Sequence, residues 1–333
     1  MKKLAFALFA AMAAIQANAA DKILINGAGA TFPYPIYSKW FDDYSRLHPE
    51  IQINYQSIGS GGGISNITNH TVDFGASDGP MNDEQLAKLD GKLLHIPTVL
   101  GAVVPVYNLE GVKDLKLSPA ALSDIFLGKV TNWNDAEIKA DNPGITLPDS
   151  PITVVHRSDG SGTSFCFTDY LSKVNPQWLK NVGRATSVQW PVGLGGKGNE
   201  GVSGLVKQTP GSVGYVELIY ALQNKIDYAS VKNASGKFVK ADLASVSAAA
   251  AGVKMPKDYR VSITDASGKN AYPIATFTWL LVYQANKGGT GKVMHDFLKW
   301  MISEGQKSAP TLGYAPLPKG VAAMVKKTIE TVK

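Results

Sequence analysis

Apolar and polar positions follow two spacings along the first part of the chain. Short apolar runs with strand character lead into glycine-rich turns, and these lead into stretches whose apolar residues recur at helical spacing. The pattern predicts strands at residues 23–25, 51–55 and 72–76, helices at residues 36–47 and 64–69, and a glycine loop at residues 60–63. This repeated succession of strand, loop and helix indicates an α/β fold with a largely parallel sheet.

The same succession returns later in the chain. The spacing predicts strands at residues 152–156, 213–216 and 277–283, a loop at 159–163, a helix at 165–174 and two late helices at 293–301 and 321–329. Residues 224–270 are polar, rich in alanine and weakly patterned, so we expect a surface excursion there. Two β-rich segments, residues 96–107 and 272–283, could cross between two lobes and would make the first lobe discontinuous.

Composition places the chain among ordinary globular proteins. Of 333 residues, 44% are apolar and 18% charged, which excludes wholesale disorder, and the length allows two domains. The formal net charge is +6 without a run of five basic residues, so a nucleic-acid-binding stripe is not indicated. A mild positive charge suits a small anionic ligand, and ordinary surface chemistry would produce it equally well. The single cysteine, Cys166, excludes an intrachain disulfide and is expected to be a buried, inert thiol.

The N-terminus has the pattern of a cleaved export signal. Lys2 and Lys3 precede an apolar stretch at residues 4–15, and residues 17–19 form an A-x-A site, so cleavage is expected after Ala19. The apolar stretch is shorter than the roughly 20 residues that a spanning helix needs. A lipid anchor is not expected, because no cysteine lies near the cleavage site.

Three glycine-rich loops, at residues 29–32, 60–63 and 159–163, come directly before predicted helices. Each combines small residues, a Ser or Thr hydroxyl and backbone N–H groups, which bind anions at the partially positive N-terminus of a helix. Ser and Thr are also ordinary helix caps, and each loop taken alone fits that structural role. Three such loops in one chain favour a shared oxyanion site, on the condition that they converge.

Two carboxylates and one arginine lie where they could act on such an anion. Arg157 stands at the end of a predicted strand, where it could pair with an anion, and Asp159 could hold its guanidinium. Asp78 follows another predicted strand. A carboxylate only accepts hydrogen bonds, so Asp78 would accept from a P–OH group and repel an oxyanion without a proton. A surface ion pair and a turn-forming aspartate are the ordinary alternatives.

Enzymatic interpretations have less support in the sequence. Residues 75–79 match the G-x-S-x-G nucleophile elbow, but Gly79-Pro80 interrupts where that elbow needs a helix. An exported phosphoesterase with Ser77 or Ser161 as nucleophile stays open as an alternative, as does a scaffold that displays phosphate sites. The five histidines show no zinc-site spacing, so a metal is not expected.

Seven motifs in this order resemble those of a known family. They are GAGATFP, YQSIGSGGG, VDFGASD, RSDGSGTSF, WPVGLGGKGN, PGSVGYVE and YPIATFTWLLV. The chain resembles the periplasmic phosphate-binding proteins of bacterial ABC phosphate importers (PstS type). The resemblance extends from Gly27 to about Tyr314 and is weaker at residues 224–270.

The resemblance implies a two-lobed periplasmic-binding-protein fold of type II. Each lobe would be a mixed, mainly parallel sheet flanked by helices, and two crossover strands would form the hinge. Lobe I would comprise residues 20–101 plus 276–333, and lobe II residues 102–275, after a signal peptide at residues 1–19. The function implied is high-affinity binding of phosphate in the periplasm, without catalysis and without a cofactor or metal.

The same resemblance implies a set of phosphate-binding residues. Asp78 would accept the phosphate proton and reject sulfate, and Asp159 and Gly160 would support the site. The donors implied are Ala30, Thr31, Phe32, Ser60, Arg157, Ser161, Gly162 and Thr163. The implied partners are inorganic phosphate and a membrane-embedded ABC permease with its cytoplasmic ATPase, with no nucleic acid, and the protein would be a monomer.

Overall fold

A computed structural model describes residues 22–286 and 289–333 of the chain. The predicted export signal and its cleavage site at Ala19 lie outside the described residues. The strands are β1 (Ile23–Gly29), β2 (Ile51–Ser57), β3 (Phe74–Ser77), β4 (Leu93–Tyr107), β5 (Lys116–Leu117), β6 (Thr153–Arg157), β7 (Leu194–Gly196), β8 (Ser212–Glu217), β9 (Asp227–Tyr228), β10 (Ser230–Lys232), β11 (Phe238–Val239) and β12 (Ala275–Tyr283).

The helices alternate with these strands, as the sequence pattern predicts. They are α1 (Tyr34–Leu47), α2 (Ser60–Thr68), α3 (Asp83–Leu86), α4 (Pro119–Phe126), α5 (Ala136–Asp141), α6 (Gly162–Val174), α7 (Pro176–Asn181), α8 (Gly198–Gln208), α9 (Leu218–Asn224), α10 (Leu243–Ala250), α11 (Gly291–Met301) and α12 (Lys319–Ile329). Within the two described ranges, no helix is both long and apolar enough to cross a membrane.

The main sheet has the strand order β2-β1-β3-β12-β4-β8-β6-β7, with β9 also paired to β4. Strands β1, β2 and β3 are mutually parallel, and β12 joins them antiparallel. The long strand β4 pairs with β12 up to Ala102 and with β8 from Val103 onward, so it belongs to both halves of the sheet. Beyond it, β6 runs parallel to β8 and β7. The mixed α/β architecture is therefore confirmed, and the described main sheet has four parallel and four antiparallel strand pairs.

The first helix shows how the sequence pattern produces the core. Its buried residues include Tyr37, Trp40 and Tyr44, which are spaced three or four apart and so form one face. The indole of Trp40 donates to the carbonyl oxygen of Gly305 at 2.7 Å, which satisfies its only polar atom inside the core. Burial of each large side chain of this kind stabilises the fold by roughly 1.5–3 kcal/mol.

Two helices begin three or four residues earlier than the spacing predicts. Helix α2 starts at Ser60, so the predicted glycine loop is its first turn, and α6 starts at Gly162 rather than at residue 165. Glycine is required in α2 by close packing, because a Cβ on Gly63 would lie 2.6 Å from the carbonyl oxygen of Ala76. These glycines allow close contact between elements, whereas glycine in a sequence usually indicates a loop.

The predicted surface excursion at residues 224–270 is wrong in part. The segment contains α10 and three short strands, of which β10 and β11 form a second sheet with β5. Val231 and Val246 in this segment are buried in the main core. Strands of two or three residues are too short to show alternation, so the sequence pattern could not reveal them. Cys166 is buried as predicted, and burial raises the pKa of its thiol well above the usual range.

Candidate functional site

The three glycine-rich loops converge between the two halves of the sheet. The amide of Gly61 donates to the carbonyl oxygen of Gly160 at 2.8 Å, which joins the second loop to the third. Gly162 lies against Asp78, since a Cβ at Gly162 would stand 2.6 Å from Asp78 Oδ2. Thr31 of the first loop reaches the opposite half through Asn199. The condition for a shared site, convergence of the loops, is met.

Burial sets these residues apart from ordinary helix caps. None of the following is more than 3% exposed: Ala30, Thr31, Phe32, Ser60, Asp78, Arg157, Ser161 and Thr163. Gly162 is also buried, and the two supporting residues, Asp159 and Gly160, are partly buried. The interior therefore collects an arginine, a carboxylate and four hydroxyl groups, a set that is stable there only if its members find partners.

Three tyrosine hydroxyls bind the backbone carbonyl groups of the first loop. Those of Tyr55, Tyr220 and Tyr314 donate to the carbonyl oxygens of Ala30, Thr31 and Phe32 at 2.8, 2.6 and 2.6 Å.

The amides of this loop differ in their availability. The Ala30 amide donates to the carbonyl oxygen of Ala76 at 3.0 Å, so it is already occupied, in contrast to its expected role as a donor. The amides of Thr31 and Phe32 have no acceptor within the described ranges.

Arg157 ends strand β6 and is bound by Asp159 as predicted. Its Nε and Nη2 donate to the two carboxylate oxygens of Asp159 at 2.7 and 2.5 Å, and its Nη1 donates to Thr163 Oγ1 at 3.3 Å. Burial alone would raise the pKa of Asp159, but the hydrogen bonds and charge of Arg157 outweigh it and hold that pKa below its usual value. The bidentate pair fixes the guanidinium plane and leaves its outer edge for another acceptor.

Asp78 follows strand β3 directly and is a buried hydrogen-bond acceptor. Its Oδ1 accepts from Thr278 Oγ1 at 2.8 Å, whereas Oδ2 is buried without a hydrogen-bond partner in the described part of the chain. Burial raises the pKa of Asp78 to about 7, against the lowering effect of Thr278, Arg157 and Ser60. A buried carboxylate oxygen without a partner is costly, so this geometry favours a ligand that brings a proton.

The third loop offers donors at the N-terminus of α6. Ser161 caps the helix by accepting from the Ser164 amide at 3.0 Å, which confirms the ordinary capping role for its oxygen. The amides of Gly162 and Thr163 have no acceptor among residues 22–286 and 289–333. Capping and ligand binding are compatible here, because the Ser161 hydroxyl hydrogen is still available.

Comparison with known proteins places the chain in a family. The model of the PBP superfamily domain matches residues 13–305. The chain is 47% identical over 314 residues to the Phosphate-binding protein PstS of Xylella fastidiosa, covering 93% of this chain and 85% of the relative. It is 45% identical to the PstS of Haemophilus influenzae, covering 92% of each. The chain belongs to the PstS family.

The fold of the PstS-family chain also matches solved structures. The periplasmic phosphate-binding protein PfluDING, solved with bound phosphate, superposes with a TM-score of 0.76 at 23% identity, covering 92% of this chain and 93% of that one. At this identity the match supports the fold alone. The two-lobed periplasmic-binding-protein fold predicted from the motifs is confirmed.

Sequence reasoning missed several residues of this PstS-family site. Asn199 joins Thr31 to Thr163, Thr278 binds Asp78, and Tyr220 holds the first loop. Asn199 and Thr278 lie inside two of the motifs that carry the family resemblance, WPVGLGGKGN and YPIATFTWLLV. This location is the only sequence feature that could have indicated a role for them in the site. As single residues, an asparagine and a threonine do not indicate a binding site.

A second buried carboxyl group, Glu217, lies beside the site. Its Oε2 accepts from the Ile219 amide at 2.7 Å, and its Oε1 has no hydrogen-bond partner among the described residues. Burial raises the pKa of Glu217 well above its usual range, and the charge of Asp78 raises it further.

Replacing Glu217 with Gln is expected to stabilise the ligand-free protein at pH 8. Because the pKa of Glu217 is higher in the folded protein than in the unfolded chain, where it is about 4, the free energy of unfolding falls as pH rises beyond that value. Glu217→Gln removes this loss, a gain of roughly 1–3 kcal/mol. Thermal unfolding at pH 4 and pH 8 measures it, with exposed Glu110→Gln as control. An equal change at both pH values would contradict the raised pKa of Glu217.

Proposed function

We propose that this protein binds inorganic phosphate in the periplasm and delivers it to an ABC-type import permease. The observation that carries the proposal is the buried Asp78 Oδ2, an acceptor without a partner in the described chain, set among unoccupied donors. Phosphate that carries a proton has a P–OH group for this oxygen and further oxygens for the donors. The names of the PstS relatives agree with this ligand.

The donors would surround phosphate from both halves of the fold. Lobe I would supply the amides of Thr31 and Phe32 and the hydroxyls of Thr31 and Ser60. Lobe II would supply the Arg157 guanidinium, the amides of Gly162 and Thr163, and the hydroxyls of Ser161 and Thr163. Ala30 and Gly160 would position the loops. A dry cage of fixed dipoles holds an anion without bulk water, because its donors are already oriented.

Asp78 would distinguish phosphate from sulfate. Sulfate is fully deprotonated at neutral pH, so it would place an oxygen lone pair against the acceptor Oδ2. A mismatch of this kind costs roughly 1–3 kcal/mol or more when the group is buried. Burial raises the pKa of Asp78 to about 7, so the carboxylate form that would accept from P–OH predominates above that pH.

Lobe closure would bury the ligand. We place lobe I at residues 20–101 plus 276–333 and lobe II at residues 102–275, with crossings at β4 and before β12. The two crossings contact each other, since the Val103 amide donates to the carbonyl oxygen of Ile274 at 2.8 Å. Phosphate that contacts both lobes favours the closed form, and the permease would receive this form of the monomer.

Replacing Gly162 with Ala is expected to hold the lobes apart and to weaken phosphate binding by about tenfold or more. The added Cβ would lie 2.6 Å from Asp78 Oδ2, across the closed interface. Calorimetry gives the affinity, and small-angle scattering with saturating phosphate shows whether the variant still becomes more compact. Gly204→Ala in α8 is the matched control, because a Cβ there meets no atom within 4 Å. Equal affinity in both variants would contradict close packing of the loops around the ligand.

A phosphoesterase is the alternative, and the serines argue against it. Ser77 Oγ donates to the carbonyl oxygen of Gly79 at 2.5 Å, and Ser161 Oγ accepts from a helix amide. Within the described ranges neither hydroxyl contacts a base that could activate it. Release of phosphate from a chromogenic ester by the pure protein would contradict the binding role. Unchanged phosphate uptake after deletion of the gene would contradict delivery to a permease and favour a scaffold that displays phosphate sites.

A further inference from the structure

Asn199 connects two hydroxyl groups of the site that come from opposite halves of the fold. It is fully buried near the start of α8. Its Nδ2 donates to Thr31 Oγ1 at 2.7 Å and to Thr163 Oγ1 at 3.2 Å. Its backbone amide also donates to Thr31 Oγ1, at 3.2 Å.

The orientation of the Asn199 amide group is fixed by its own partners. Oδ1 accepts from the Glu217 backbone amide at 2.9 Å. Because that backbone amide is a donor, the Asn199 side-chain atom that faces it must be the oxygen and not the NH2 group. Both hydrogens of Nδ2 are then directed at the two threonine hydroxyls. A flipped side chain would place its NH2 group against another donor, so the network allows one orientation only.

The lone pairs of both threonine hydroxyls are occupied. Thr31 Oγ1 accepts from the amide and from Nδ2 of Asn199. Thr163 Oγ1 accepts from Asn199 and from Arg157 Nη1, at 3.2 and 3.3 Å. A hydroxyl has two lone pairs and one hydrogen, so each of these groups can form a further hydrogen bond only as a donor.

We propose that Asn199 is a positioning residue that makes the hydroxyls of Thr31 and Thr163 obligate donors to the bound anion. The proposal rests on the proposed binding of phosphate. With both hydroxyls restricted to donation, an oxygen that carries a proton is disfavoured at either threonine, and Asp78 is the place left for the P–OH group. Asn199 therefore determines the ligand's orientation without touching it.

A double-mutant cycle between Asn199 and Thr31 tests this role, with phosphate affinity measured by calorimetry. Asn199→Ala is expected to weaken binding about tenfold in the natural background, because the hydroxyls can then turn their lone pairs to the ligand. In a Thr31→Val background the same change is expected to cost only about threefold, since one of the two oriented hydroxyls is already absent. A purely structural role would give the same loss in both backgrounds.

The matched control is Asn142→Ala, which removes another buried asparagine, one that binds the Lys116 backbone away from the site. Its effect should be equal in the two backgrounds. Additive losses for Asn199 and Thr31, or full affinity in Asn199→Ala, would overturn the proposal. If Asn199→Ala does not fold, Asn199→Ser takes its place in the cycle. Failure of the unsubstituted protein to bind phosphate would instead refute the proposed function.

Discussion

Replacing Arg157 with Ala is expected to weaken phosphate binding by about a thousandfold, because truncating one partner of a buried, hydrogen-bonded charge pair costs about 2–5 kcal/mol of binding free energy. The guanidinium would donate charge-assisted hydrogen bonds to phosphate. Its loss also leaves the Asp159 carboxylate near the ligand without its bidentate partner, so an uncompensated negative charge would repel the anion. Calorimetric titration with phosphate measures the change.

The matched control for Arg157 is Arg184→Ala. Arg184 Nη1 donates to the buried Asp169 at 2.9 Å, so its loss also removes a cation from a buried carboxylate. We expect this variant to keep its phosphate affinity. A second variant, Arg157→Ala with Asp159→Asn, should recover part of the lost affinity because the repelling charge is gone. Full affinity in Arg157→Ala would contradict a role for Arg157 in binding the anion.

Replacing Asp78 with Asn is expected to lower the preference for phosphate over sulfate by about ten- to a hundredfold or more. The carboxamide can turn its NH2 group toward the ligand, and this group donates to a deprotonated oxygen. Sulfate binding should therefore appear, and phosphate binding should weaken less than in Arg157→Ala. Competition between the two anions at pH 7.5 gives the ratio directly.

The same Asp78→Asn change should stabilise the ligand-free protein. Burial raises the pKa of Asp78 to about 7, so the folded protein retains a proton that the unfolded chain releases near pH 4. The contribution of Asp78 to the free energy of unfolding therefore falls as pH rises from about 4 to about 7 and is constant above that pH. Asp78→Asn should remove that fall, and thermal unfolding without phosphate across this range measures it.

Glu217→Gln is the control that separates the two effects of Asp78→Asn. It replaces another buried carboxyl group and should stabilise the protein, yet it should leave sulfate excluded. Sulfate binding by Glu217→Gln would mean that loss of a buried carboxyl group in general, rather than the acceptor at Asp78, relaxes the selectivity. Continued exclusion of sulfate by Asp78→Asn with normal phosphate binding would contradict the role of Asp78.

The site residues that could be predicted best from the sequence are those at the end of a strand. Asp78 follows β3 and Arg157 ends β6, and strand ends in an α/β fold direct side chains to a common edge. Asp159 was predictable because it is two residues from its partner. At these positions the sequence pattern that predicts the end of a strand also predicts the site. The loops and their charged residues could therefore be identified from the sequence alone.

The partners across the interface could not be found in this way. Thr31 and Asn199 are 168 positions apart, and Asp78 and Thr278 are 200 apart. Periodicity shows which face of an element is buried, but it does not show which loops meet across a cleft. Ala30 was expected to donate through its amide, but that amide binds Ala76 in the neighbouring strand, a pairing that depends on the sheet order.

Calorimetry on the chain without its predicted leader, unfolded and refolded to remove bound ligand, tests the central claim most directly. The protein is titrated with phosphate and then with sulfate at neutral pH. We expect tight one-to-one binding of phosphate and no heat from sulfate. A folded protein that gives no response to phosphate, or one that binds both anions equally, would contradict a phosphate cage selected by Asp78.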